Sequence, residues 1–178
     1  MKLKLSDPTL FTKSIELMSD LVLEVRMKIN EFGLSIVAID PGNISMVSLK
    51  IPKSAFKEFE SGEEVLGVNL ESLKKVLRRC GKTGSLVLEK KENNLEIKIE
   101  DKINRIFNLN LIEVEREDKE FPEHLEFSSK ISIESSDLID AIEDCLVVSD
   151  ACSFIVSGKK FIIEAKETNS SRTEFSSD

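Results

Sequence analysis

Val65-Leu66-Gly67-Val68-Asn69-Leu70-Glu71-Ser72-Leu73-Lys74-Lys75-Val76-Leu77-Arg78-Arg79 runs from an extended segment directly into a helix. Val65 to Val68 reads as a short strand, and the apolar residues Leu70, Leu73, Val76 and Leu77 then fall at helical spacing, so a helix is predicted from Leu70 to Arg79. A strand from Ser85 to Glu89, a turn at Glu92-Asn93-Asn94 and a strand from Leu95 to Ile99 follow. The same order recurs on both sides. Upstream it is Leu3-Lys4-Leu5, a helix from Pro8 to about Leu21, Val22 to Ile29, a turn at Glu31-Phe32-Gly33, and Leu34 to Ile39. Downstream it is Lys130 to Ile133, a helix from Asp137 to Leu146, Cys152 to Val156, a turn at Ser157-Gly158-Lys159, and Phe161 to Ala165. The copies start roughly 60 to 65 residues apart, the period of a supersecondary unit that buries its apolar face against neighbouring copies. Three copies leave one without a mate.

The local signals agree with this division. Asp7 is placed to cap the first helix, with Pro8 at its first position, where a missing N–H costs nothing. Leu23, Val25, Met27 and Ile29 alternate with Glu24, Arg26 and Lys28, the period-two pattern of a strand with one buried face. Asp40-Pro41-Gly42-Asn43 is a turn, and a further strand follows from Ile44 to Ile51. Alternation also marks Phe107, Leu109 and Leu111. Many short strands with about one helix per copy imply an α+β fold with antiparallel sheets, the helices sharing one face of the sheet.

Composition excludes several classes. Of 178 residues, 40% are hydrophobic and 33% charged, which suits a folded, well-solvated chain. No apolar run reaches the roughly 18 to 20 residues of a membrane span, and Met1 to Asp7 lacks the apolar core of a signal peptide, so an intracellular chain with no membrane partner is expected. Three scattered cysteines, Cys80, Cys145 and Cys152, read as reduced thiols. The net charge of -8 opposes bulk attraction to a polyanion. Yet Lys74, Lys75, Arg78 and Arg79, with Lys82 after them, form two cationic ridges beside the apolar stripe of the second helix. Two readings stay open for them: a polyanion contact, or a solvated face whose C-terminal cations complement the helix macrodipole.

Between Leu111 and Phe127 the chain turns acidic, with Glu113, Glu115, Glu117, Asp118, Glu120, Glu123 and Glu126, one proline, Pro122, and apolar residues that thin to Phe121 and Leu125. It reads as an extended connector between domains, either a plain solvated linker or a docking strip for a partner peptide. Catalytic signatures are missing. The only histidine, His124, lies in the connector without a nucleophile pattern, and the chain has no Walker loop, glycine-rich dinucleotide loop, hydrolase elbow or metal-spaced Cys/His cluster. No catalytic residue, cofactor or metal is therefore expected; Glu143 and Asp144 are adjacent on a helix and point about 100° apart, a poor chelate. Cys80 reads as a structural cysteine, with a mildly activated thiol beside Arg79 as the alternative.

Several stretches together resemble the DNA sliding clamp family, proliferating cell nuclear antigen, in an archaeal-like form. They are Gly67-Val68-Asn69-Leu70 leading into Leu73-Lys74-Lys75-Val76-Leu77-Arg78, and Ala38-Ile39-Asp40-Pro41 with Ile44 to Leu49. Phe107 to Leu111 running into Phe121-Pro122, and Val148-Ser149-Asp150 before Phe154-Ile155-Val156, add to them. The resemblance implies the clamp fold of repeated βαβββ units, with helices lining an inner face and antiparallel sheets outside. It implies a first clamp domain at 1–111, an interdomain connector at 112–127, and the first half of a second domain at 128–178. It further implies a non-enzymatic processivity factor that encircles duplex DNA as a trimeric ring, homomeric or heteromeric, and tethers DNA polymerase, the clamp loader and other clients through a clamp-binding peptide. Its place would be the cytoplasm of an archaeon or the nucleus of a eukaryote.

Carried over by position, the resemblance puts DNA contact, non-specific in sequence, on Lys75 and Arg78, supported by Lys74, Arg79, Lys82 and Lys13. The peptide pocket falls on Ile39, Ile44, Glu120, Phe121 and Pro122. The subunit interface pairs edge strands at about 102–110 and 172–176, with Phe107, Leu109, Thr173 and Phe175. Two departures accompany it. A clamp would continue through a fourth unit of roughly 70 residues, and the third helix carries Asp137, Asp140, Glu143 and Asp144 without a lysine or arginine. Two further functions are therefore kept: a truncated clamp paralogue that binds clients or caps a clamp without encircling DNA, and a small metal-dependent nucleic-acid enzyme.

Overall fold

Period-two burial is what orders this molecule. In chain order the elements are β1 (Lys2–Leu5), α1 (Thr9–Ser19), β2 (Glu24–Asn30), β3 (Gly33–Ile39), β4 (Met46–Pro52), β5 (Glu58–Glu60), β6 (Glu64–Asn69), α2 (Leu70–Leu77), β7 (Ser85–Lys91), β8 (Asn94–Glu100), β9 (Arg105–Asn110), α3 (Ser135–Leu146), β10 (Ser153–Ser157), β11 (Lys160–Lys166) and β12 (Ser170–Ser176). The computed structural model describes residues 1–81, 84–114 and 125–176. It divides the chain into two units, Met1–Pro122 and Glu123–Asp178.

The first unit holds two antiparallel sheets, in the orders β4-β3-β2-β6 and β5-β1-β7-β8-β9. Each repeat lends its first strand to the other: β6 pairs with β2, with Met27 opposite Leu66, and β1 pairs with β7, with Leu3 opposite Leu88. Alternate residues of all these strands point into one core with Phe11, Ile15 and Met18 of α1 and Leu73, Val76 and Leu77 of α2. Burying side chains of this size stabilises each by about 1.5–3 kcal/mol, which is why the two copies form one body. Gly33 closes the β2–β3 hairpin at φ +145, and a Cβ there would stand 2.1 Å from the Ile51 carbonyl oxygen, so no side chain fits.

The repeat is regular in register. A shift of 61 residues carries Gly33–Ile39 onto Asn94–Glu100, and a further 66 carries that strand onto Lys160–Lys166. The hairpin pairs shift with it: Asn30 with Gly33, Lys91 with Asn94, Ser157 with Lys160.

The second unit has one three-stranded sheet, β10-β11-β12, with α3 packed on β11 and β12. Its buried core is Ala141, Cys145, Ile163 and Ala165, joined at the margin by Phe161 and Phe175, whose rings stack at 6.0 Å. The strand expected at 130–133 does not form. Its counterpart β1 is held by β5 and β7 on its two sides, and among the described residues of the second unit no strand offers that pairing. Element ends also move: the first helix is shorter than expected, with Pro8 as its N-cap residue, and α2 stops at Leu77 with Arg78 as its C-cap.

Candidate nucleic-acid interface

The second helix begins where Asn69 leaves β6 in extended conformation and its side-chain oxygen accepts from the Ser72 N–H at 2.9 Å. That cap satisfies one of the four backbone donors orphaned at a helix start. Leu70, Leu73, Val76 and Leu77 are buried, which turns Lys75, Arg78 and Arg79 to the surface and leaves Lys74 half-buried. The helix pair α1–α2 is antiparallel, as its cross-contacts require: Lys74 Nζ donates to Asp20 at 3.0 Å, and Arg78 donates to Glu16 from both Nε and Nη2. Lys75 pairs along its own helix with Glu71 at 2.8 Å, which holds the Glu71 carboxyl below its usual range.

Three of the expected contact residues are thus already engaged by carboxylates. Lys13, exposed on α1, and the Arg79 guanidinium have no ion-pair partner among the described residues, and Lys82 lies outside those residues. Counting both helices with Asp20, Arg78 and Arg79, five cations face three carboxylates. The pair is net +2 in a chain of -8. Sequence reading missed Glu16 and Asp20. The signal was there: two acids in the C-terminal half of a helix oppose its macrodipole, so their partners lie elsewhere.

The second expected site is the turn after β3. Asp40 accepts from the backbone N–H groups of Ser45, Ile44 and Gly42, Ser45 weighing most, and these hold its carboxyl below the usual range. The turn lifts Ile44 into solvent at 89% exposure, while Ile39 at the end of β3 is half-buried. Glu120, Phe121 and Pro122 fall outside the described residues, as does His124. The chain just before them is held to β6, however: the Ile112 N–H donates to the Gly67 carbonyl at 3.0 Å, and a Cβ on Gly67 would stand 2.0 Å from the Ile112 oxygen. Only glycine lets the chain at Ile112 approach β6 so closely.

The two expected interface strands are sheet edges. β9 ends the five-stranded sheet and β12 the three-stranded one. Phe107 and Leu109 are half-buried against the first core, and Phe175 packs against the second, so the free surface of each edge is its backbone and the alternate side chains, such as Ile106. Thr173 is half-buried on β12, opposite Ile163 of β11. Cys80 is half-buried, and burial pushes its thiol up against the pull of Arg105, which opposes the activated-thiol alternative.

A family model described as the proliferating cell nuclear antigen N-terminal domain matches residues 1–120. The chain belongs to that family. Among its relatives, the DNA polymerase sliding clamp of Pyrococcus horikoshii is 37% identical over 158 residues, covering 88% of this chain and 63% of the relative. That of Thermococcus onnurineus is 39% identical over 162 residues, covering 89% and 65%. The chain thus spans somewhat under two thirds of these clamps. Among solved structures, the PCNA2–PCNA3 complex of Sulfolobus tokodaii matches with a TM-score of 0.86 at 29% identity, over 99% of this chain and 73% of that one. PCNA of Thermococcus kodakaraensis matches in fold with a TM-score of 0.86 at 24% identity, over 98% and 72%. The α+β clamp fold, with antiparallel sheets and the helix of each repeat, is that of the PCNA family. No helix among the described residues is long and apolar enough to cross a membrane.

Proposed function

We propose that this chain is a sliding clamp subunit: a non-enzymatic processivity factor that holds duplex DNA without sequence preference and tethers polymerase and other clients. The observation that carries the reading is the cationic helix pair α1–α2 in an acidic, PCNA-family chain. A clamp needs phosphate contacts that are weak and sequence-independent, because strong ones would arrest sliding. Lys75, Arg78, Lys74, Arg79, Lys82 and Lys13 are assigned to those contacts. Ile44, raised on the Asp40 turn, with Ile39 and the connector residues Glu120, Phe121 and Pro122, is assigned to client peptides, whose apolar anchors need an exposed apolar site. β9 and β12 are assigned to edge-to-edge subunit pairing in a three-subunit ring, with 1–111 as a clamp domain joined by 112–127 to 128–178, the first half of a second.

The acidic α3 favours a mixed ring, in which other subunits supply the cations this helix lacks; the match to a complex of two different PCNA chains supports that form. The test is absolute mass by light scattering across a concentration series. A species near three times 20.0 kDa supports ring closure by this chain alone. A 20.0 kDa monomer that joins a ring only with other clamp chains supports the mixed ring, and a monomer that joins none overturns ring formation and leaves the capping paralogue.

A further inference from the structure

We propose that Glu16 and Asp20 of α1 act as built-in competitors for phosphate, setting how weakly the helix pair grips DNA. The inference rests on the reading above that α1–α2 faces the duplex. Three observations carry it. First, the two carboxylates hold the cations of the neighbouring helix: Asp20 takes Lys74 at 3.0 Å, and Glu16 takes Arg78 at 3.1 Å from Nε. Second, the acids do nothing for their own helix. α1 has no acidic residue in its first turn and no basic residue in its last, while Glu16 and the C-cap Asp20 sit near the end where the macrodipole disfavours negative charge. Third, the pairs are not buried structural bridges. Glu16 and Arg78 are 40% and 59% exposed and Asp20 is 66% exposed, so each cation can exchange its carboxylate for a phosphate oxygen at small cost.

Bound DNA then gains a phosphate contact only where it displaces a carboxylate. Such exchange keeps each contact near break-even, so the helix pair can pass from one phosphate to the next. Arg78 shows this most clearly, at 59% exposed and donating to Glu16 from both Nε and Nη2; Lys74 is 17% exposed, and its exchange runs through Asp20, which is 66% exposed.

The experiment measures binding of a fluorescent duplex of arbitrary sequence to the 178-residue chain by anisotropy, from about 50 to 200 mM salt. It compares E16Q/D20N, each single substitution, the control E31Q/E63Q, which removes two exposed carboxylates from loops outside the helix pair, and K75E/R78E. The double neutralisation is expected to tighten binding about two- to thirtyfold at the lowest salt relative to the control, the range for releasing two exposed ion pairs. The salt dependence is expected to steepen by about 1 to 2 in the log–log slope, one step per freed cation. The single substitutions fall between. If E16Q/D20N binds no tighter than E31Q/E63Q while K75E/R78E loses binding, the competitor role is overturned and the DNA-facing assignment stands. If K75E/R78E binds like the parent chain, or none of the chains binds at the lowest salt, the DNA-facing assignment itself fails.

Discussion

A single residue, Gly67, sets a close approach of two stretches of backbone in the first unit. Gly67 lets the chain at Ile112 hydrogen-bond across β6, and an added Cβ would overlap the Ile112 oxygen at 2.0 Å. Gly67→Ala is expected to cost about 1–3 kcal/mol, because the obstacle is backbone and cannot swing aside. Gly62→Ala, with nothing within 4 Å of its new methyl, is expected to stay within about 0.5 kcal/mol of the parent. Urea denaturation of both variants checks this, and equal midpoints would remove the role given to Gly67. The sequence marked Gly67 only as part of a strand leading into a helix. Its partner lies 45 residues further along the chain, and a hydrogen bond between such distant points leaves no local periodicity to read.

At the scale of elements, β1 is tied into its sheet by carboxylate–lysine pairs to β5 and β8 as well as by its ladder. Lys2 donates to Glu58 of β5 at 2.7 Å, and Lys4 donates to Glu100 of β8 at 2.6 Å. The Glu58 carboxyl is held below its ordinary value of 4.5 chiefly by the Lys2 hydrogen bond, and Glu100 chiefly by the bond from Lys4, then that from Ser85. A carboxyl whose folded value is depressed contributes stability that is complete above its unfolded value and disappears as pH falls through the folded one. The urea midpoint should therefore drop as pH falls below about 4.5, and E58Q/E100Q should show a shallower drop over the same window. Identical slopes would mean these pairs do not couple to folding. The strand and helix identities here were legible because alternation and helical spacing are local. The pairing of β1 with β5 and β7 was not, since it joins the start of the chain to residues 54 to 87 positions away.

Across the whole molecule the two units differ in how fully they are covered. Met27 and Ile29 of β2 are 0% and 1% exposed in the first core, beside β6, whereas the residues in the same register of the third copy, Phe154 and Val156, are 57% and 48% exposed. Four buried residues make the core of the second unit. Local opening costs least where few apolar contacts must break, so amides of β10 and β11 are expected to exchange with solvent at least about a hundredfold faster than those of β2 and β7. Hydrogen exchange read by mass spectrometry on the full chain measures this directly, and equal protection would show that something else covers β10. By itself, the sequence determined the threefold repeat, the antiparallel α+β class, the cationic second helix in an acidic chain and the resemblance to sliding clamps, because these rest on spacing, composition and order along the chain. Only the tertiary structure decided that two repeats exchange their first strands to close two sheets over one core, that the strand at 130–133 stays unformed, and that Glu16 and Asp20 hold the cations of α2. Those outcomes depend on which surfaces meet in space, and a hydrophobic or charged residue carries no record in its own neighbourhood of the distant residue that will cover it.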